Sequence, residues 1–325
     1  MRHFYLALIL LLSLPGIPVH GVEYSLPVGS DDSLGQYISF AWENDLYYQR
    51  DYYYTNGFQI EFFHDKLGQS PINRILMPFR YSKTGITWSG LRLRQEIFTP
   101  RDLAMDSISV GDHPYSSTLT LAQNSVFVLP NKQLRIVSGL KVGVLGPASL
   151  GFKTHELAHL LANPSRPPQG WDYQVQNDLI INYDLQVEKG FTHHEMALFG
   201  VKGKGRLGTL NTDLEAGLWL RLDARNGYFN RLGPMGGPGL NVVFSLSATA
   251  SYIFYDATLQ GGMLNRSSPY IVPPEHMTRW LGKLEGTLTL ELSLHQLEFY
   301  TQISSPRFEL AEPHGWVGIA YKHWF

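Results

Sequence analysis

The chain has no cysteine, so neither a disulfide framework nor a lipid-modified cysteine is available to it. Beyond its first residues it lacks any stretch of about 18 consecutive apolar residues, which excludes a transmembrane helix. Charge is scarce as well. Asp, Glu, Lys and Arg make up 17% of residues, and the net charge of −2 argues against nucleic acid as a partner. What is plentiful is aromatic and small: 18 tyrosines, 31 glycines and 13% aromatic residues suit many strands and turns. Composition thus points to a secreted all-β protein, and any membrane assignment has to come from periodicity.

The opening segment supports secretion. Arg2 and His3 precede an almost wholly apolar run from Phe4 to Leu14, and compact residues follow at Val19-His20-Gly21. The run is too short to cross a bilayer and reads as a signal peptide over 1–21, leaving 22–325 as a single domain.

Strands that cross a membrane alternate lipid-facing apolar and lumen-facing polar residues over roughly ten residues. Leu284, Leu288, Leu290 and Leu292 share one face, opposite Lys283, Glu285, Thr287, Thr289, Glu291 and Ser293. Leu214, Ala216, Leu218, Leu220 and Leu222 alternate with Glu215, Gly217, Trp219 and Arg221, and Leu91 and Leu93 with Arg92, Arg94 and Glu96. One such strand would fit a soluble sandwich. Charges recurring on the inner faces fit a polar barrel lumen better, because unpaired charges in a protein core are costly. Val317, Ile319, Tyr321 and Phe325 then close the chain on an amphipathic strand with a terminal aromatic, the feature expected to be read by barrel-assembly machinery.

This reading predicts an antiparallel transmembrane β-barrel of about twelve strands, an even number as single-chain bacterial barrels require. The strands fall near 35–43, 55–64, 87–97, 116–129, 133–145, 174–188, 192–201, 211–222, 240–256, 279–293, 295–304 and 313–325. Pro130-Asn131-Lys132 and Glu188-Lys189-Gly190 read as periplasmic turns, and 98–115, 146–173 and 257–278 as outer loops. The long connections at 65–86 and 223–239 fit less well on the periplasmic side. Within one outer loop, Leu150 to Asn163 reads as a short helix stopped by Pro164. Tyr47, Tyr48, Tyr52, Tyr53 and Tyr54 read as an interfacial aromatic belt.

Threading the strands from a periplasmic N-terminus gathers Asn44, Asp45, Thr55, Gln95, Glu96, His155 and His159 at the extracellular end. A histidine there can take a proton from water. Carboxylate and amide oxygens can hold calcium, which would stabilise the oxyanion formed as water attacks an ester. Convergence alone leaves open an active site or the ordinary polar rim of a barrel. His155-Glu156-Leu157-Ala158-His159 also matches the H-E-x-x-H pattern of zinc peptidases, without an evident third ligand. Asp45 would equally serve to close the turn after the first strand, and Thr55 to start the second.

At these residues the sequence resembles the outer-membrane lipid A 3′-O-deacylases. The resemblance is carried by Trp42-Glu43-Asn44-Asp45, Tyr53-Tyr54-Thr55-Asn56-Gly57, Gln95-Glu96-Ile97-Phe98-Thr99-Pro100, Gly146-Pro147, His159, Gly170-Trp171 and Tyr255-Asp256-Ala257, in that order. It implies a twelve-stranded barrel in the Gram-negative outer membrane, with an active site at the outer rim beside a loop helix. It also implies calcium-dependent hydrolysis of the ester that holds the 3′-acyloxyacyl chain on lipid A, with lipopolysaccharide as substrate. Asn44, Asp45 and Thr55 match active-site positions, His159 matches the histidine that activates water, and Asn44 and Asp45 would position the metal. Two departures stand out. His155 occupies the place of a glutamine, and the acid expected about six residues after His159 aligns with Ser165, so that role is vacant or moved to Glu156 or Asp172. The alternatives are another barrel hydrolase, either a phospholipase or a zinc peptidase using His155 and His159, and a barrel without chemistry.

Overall fold

The computed structural model describes residues 35–48, 51–76, 85–162, 168–191, 196–225, 227–234 and 239–325; the expected signal peptide lies outside them. Twelve strands form one closed antiparallel barrel. They are β1 (Tyr37–Asn44), β2 (Tyr53–Phe63), β3 (Ile86–Thr99), β4 (Ser116–Leu129), β5 (Leu134–Leu145), β6 (Asp178–Gly190), β7 (Ala197–Gly208), β8 (Asn211–Asp223), β9 (Asn241–Asp256), β10 (Trp280–Leu292), β11 (His295–Ser304) and β12 (His314–Trp324). Strands adjacent in sequence pair with each other, and β1 closes the ring by pairing β2 on one side and β12 on the other, with Ala41 opposite both Gln59 and Ala320. Among the described residues three α-helices occur in the connections: α1 (Asn73–Leu76), α2 (Gly151–Ala162) and α3 (Ala257–Gln260).

The alternation read from sequence is realised across the barrel wall. Glu43, Arg94, Lys141, Lys202, Glu215 and Lys283 line a lumenal cavity of about 570 Å³, while Leu214, Leu218, Leu222 and Leu284 are exposed on the outside. The lumenal charges neutralise one another in pairs: Arg94 with Glu43 (2.6 Å), Lys202 with Glu285 (2.7 Å) and Lys283 with Glu215 (2.7 Å). Apolar clusters fill both ends of the cavity. At the upper end, where the long connections gather, Tyr53 packs with Leu259, Val272, Met277 and Phe308.

The strand reading departs from the structure mainly at β7, expected at 192–201 and found at Ala197–Gly208. Its second half turns Gly203 and Gly205 outward, which leaves no apolar stripe to read. The flanking Lys202 and Arg206 are lumenal ion-pair partners of Glu285 and Asp213. Glu188-Lys189-Gly190, expected as a turn, ends β6. The tyrosine belt also divides: Tyr47 is exposed, whereas Tyr53 and Tyr54 are buried and the Tyr54 hydroxyl donates to Glu43.

The two long lower connections have separate tasks. Residues 227–234 turn into the lumen, where Phe229 and Leu232 pack with Tyr37, Leu198, Trp219 and Trp324. Residues 64–76 lie instead on the outer wall. There Ser89, Gln123 and Ser125 point outward by alternation, and Asn73 meets all three. Its Oδ1 accepts from Ser125 Oγ (2.6 Å) and Gln123 Nε2 (3.2 Å), and its Nδ2 donates to Ser89 Oγ (3.0 Å) and the Leu67 carbonyl (2.7 Å). Left uncovered, these groups would face hydrocarbon unsatisfied. Asn73→Leu should therefore cost about 1–3 kcal/mol for each group left unpaired, read as a lowered guanidinium midpoint in detergent.

His113 sits fully buried in the upper cap, stacked on Phe98 at 5.5 Å. Burial, reinforced by nearby Arg307, pushes its pKa from the ordinary 6.5 down to about 3. Between those values the unfolded chain takes up a proton that the folded protein refuses. Stability is thus retained above 6.5 and lost as pH falls toward 3, by about 1.4 kcal/mol for each pH unit crossed. Thermal unfolding at pH 7 and pH 4 should show this drop in the native protein and a smaller one in His113→Phe.

Candidate functional site on the outer wall

The connection between β5 and β6 builds the site. Gly146 turns the chain at φ +85, in contact so close with the returning backbone that a Cβ there would lie 2.7 Å from the Val175 carbonyl oxygen. A short 3-10 turn, Pro147–Ser149, follows, and Leu150 at φ +62 redirects the chain into α2. Ser149 fastens this turn to the barrel: its carbonyl accepts from Gln95 Nε2 (2.7 Å), and its hydroxyl meets Ser117 Oγ (2.5 Å).

Gln95 and Ser117 alternate with lumenal Arg94, Glu96 and Thr118, so they point out of the barrel, and α2 lies against the outside of β3 and β4. Gly151, His155 and His159 share one face at helical spacing. Gly151 and His155 are buried, while Phe152, Leu157 and Leu160 are exposed on the rest of the helix.

The two imidazoles meet edge to face at 4.6 Å, and Asp51 stands beside both. His159 Nε2 is 3.1 Å from Asp51 Oδ2, and His155 Nε2 is 3.9 Å from Asp51 Oδ1. On its other side His155 accepts at Nδ1 the indole N–H of buried Trp171 (3.2 Å). Burial holds the pKa of His155 below the ordinary histidine value, against the opposing pull of Asp51.

The residues singled out from sequence all reach the upper end, on two sides of the wall. Asn44 alternates with lumenal Glu43 and so faces outward; its amide donates to the Thr55 carbonyl (2.8 Å). Thr55 occupies a bulge between Tyr54 and Asn56 and shares a hydrogen bond with Thr99 (2.7 Å). Tyr53, just before the bulge, has φ +63, a sparsely populated conformation for an aromatic residue. Asp45 is fully buried; its Oδ2 accepts from the Tyr52 amide (2.9 Å) and lies 4.0 Å from His314 Nε2. Glu96 faces the lumen beside Arg94 (3.1 Å), with the barrel wall between it and α2.

Sequence reasoning passed over Asp51. Glu156 and Asp172, the acids considered for a role near His159, are both exposed, and Ser165 lies outside the described residues. No spacing rule links residue 51 to residue 159; the one local hint was an acid four residues before Thr55.

Two donor sets can be distinguished. Asn44, Asp45 and Thr55 offer amide, carboxylate and hydroxyl oxygens, the hard donors that calcium takes. Asp51, His155 and His159 bring one carboxylate and two imidazoles within 4.8 Å of one another, a set whose chemistry suits zinc better than calcium.

A Cβ at Gly151 would lie 2.2 Å from Ser117 Cβ, so the helix has no room for a side chain there. Gly151→Val should lift α2 from the wall without unfolding the barrel. Proteolysis within 146–177 should quicken, while the heat-dependent gel migration typical of a closed barrel stays unchanged.

Comparison with known proteins bears on this arrangement. The profile of the family described as "Outer membrane protein LpxR" matches residues 6–325. Among solved structures, LpxR from Salmonella typhimurium superposes with a TM-score of 0.72 at 16% identity, covering 89% of this chain and 100% of that one. The β-domain of the Bordetella autotransporter BrkA follows at a TM-score of 0.48 and 11% identity, covering 90% of this chain and 100% of its own. No functionally curated protein matches. With the family profile spanning nearly the whole chain and the twelve-stranded barrel matching that of the Salmonella protein, the chain belongs to the LpxR family of outer membrane proteins.

Proposed function

We propose that this protein is a lipid A 3′-O-deacylase whose active site lies between α2 and the outer wall, at the extracellular end of the barrel. The observation that carries the reading is the contact of His159 with Asp51 on the outward face, where a lipid in the outer leaflet can reach it sideways. Family membership supports the same substrate class.

In this mechanism His159 is the general base. It takes a proton from water as the water oxygen attacks the carbonyl carbon of the 3′ ester. The tetrahedral adduct then collapses with cleavage of the bond between that carbon and the sugar 3′ oxygen. The proton held on His159 passes to the departing oxygen, leaving a free sugar hydroxyl and a free acyloxyacyl acid. Asn44 and Thr55 bound the outward wall beside the helix and orient the ester. Calcium, held by oxygen donors of Asn44 and Asp45, would supply electrostatic stabilisation for the developing oxyanion. His155 supports His159 in this scheme rather than acting on the ester.

Mass spectrometry of lipid A from expressing cells tests the reading. The native protein in the presence of calcium should remove the 3′-acyloxyacyl group. His159→Ala should lose this activity by about 10²- to 10⁴-fold, and chelation of calcium should abolish it. Unchanged lipid A from cells in which the native barrel is folded in the outer membrane would refute the assignment. Release of a fatty acid from phospholipid instead would make the protein a phospholipase.

A further inference from the structure

We infer that Asp51 is the positioning residue that orients the His159 ring, and that His155, held in a single tautomer by Trp171, keeps Asp51 in place. This rests on the reading of His159 as the base, and it gives the second histidine of the pair a specific task.

The donors and acceptors of the cluster allow one consistent assignment. Trp171 can only donate, so the His155 Nδ1 that receives its N–H at 3.2 Å carries the lone pair. With Nδ1 bare, the one proton of the ring sits on Nε2, and burial, which lowers the pKa of His155, favours this neutral form. That N–H faces Asp51 Oδ1 at 3.9 Å. The other carboxylate oxygen, Oδ2, lies 3.1 Å from His159 Nε2, placed to receive the second N–H. His159 Nδ1, buried beneath the helix, is left with a lone pair that no donor among the described residues occupies. The base keeps its lone pair, the carboxylate faces two N–H donors, and the indole fixes the first of them.

The same logic decides against zinc. To ligate a metal through Nε2, His155 would need its proton on Nδ1, where it would meet the Trp171 N–H head on. The backbone prepares Asp51 as well. The Tyr52 amide, one peptide bond away, is tied to fully buried Asp45 (2.9 Å). The loop carrying Asp51 is thereby pinned to the end of β1 while its side chain reaches α2.

Substitutions and a tautomer measurement test this together. Asp51→Asn should lower kcat for lipid A deacylation by about 10²- to 10⁴-fold with little change in KM, and Asp51→Glu should recover part of the loss. His155→Gln keeps an N–H donor and should stay within about tenfold of the native rate. His155→Phe, which has none, should fall by about ten- to a hundredfold. Nitrogen NMR of histidine-labelled protein in micelles should find His155 protonated at Nε2 and bare at Nδ1, with Trp171→Phe erasing that preference. A native kcat for Asp51→Asn alongside an inactive His159→Ala would overturn the inference and leave the deacylase reading standing. If the native protein is inactive on lipid A the deacylase reading falls, and the NMR signature alone then decides whether Asp51 orients His159. One zinc ion retained per chain, lost on His155→Gln, would also overturn it.

Discussion

Closure of the sheet is the constraint from which the rest of this molecule follows. In hydrocarbon no water can satisfy a strand edge, so β1 must pair with β12 as fully as with β2, and it does so over its whole length. A closed wall has only two faces, and a side chain is assigned to one of them by its parity along the strand. Arg94 is lumenal because Glu43 and Glu96 are there to neutralise it. Gln95, one residue on, is thereby forced outward. The placement of the site on the outside of the barrel is a consequence of ion pairs on the inside.

A wall built this way need not be uniformly apolar outside, and among the described residues two polar patches on its outer face are covered by connecting segments. The lower patch, Ser89, Gln123 and Ser125, is covered by Asn73 and its segment in a network that uses every hydrogen-bonding group Asn73 has. The upper patch, Gln95 and Ser117, holds the turn that leads into α2 and lies under that helix. The two covers differ in chemistry. The lower one is an amide among hydroxyls and can only hold. The upper one carries two imidazoles and a carboxylate, which can move a proton.

Much of the barrel was legible because alternation is a local signal. β4, β5, β8 and β9 need only their own residues to declare a face. β7 was misplaced because glycine at outward positions carries no hydropathy, and because Lys202 and Arg206 look solvated until Glu285 and Asp213 are found across the lumen. The tyrosine run misled for a related reason. An aromatic ring suits an interface or a core equally well, and only the packing of Tyr53 against Phe308 (5.5 Å) and His314 (5.6 Å) distinguishes them. Likewise the awkward lower connections could not be read as plug and cover, since their partners lie on strands remote in sequence.

For the site, the sequence by itself determined which residues gather at one end: Asn44, Asp45, Thr55, His155 and His159 follow from strand direction, which depends only on counting turns. It also determined that both histidines share a helix face, because a spacing of four residues does so in any α-helix. The tertiary structure decided the rest. It chose the outer side of the wall for α2, gave Asp45 to the Tyr52 amide, and brought Asp51 rather than Glu156 or Asp172 to His159. Those choices depend on close packing between segments far apart in the chain, Gly151 on Ser117 and Trp171 on His155. Such contacts are set by the shape of the closed barrel, and no local pattern encodes them.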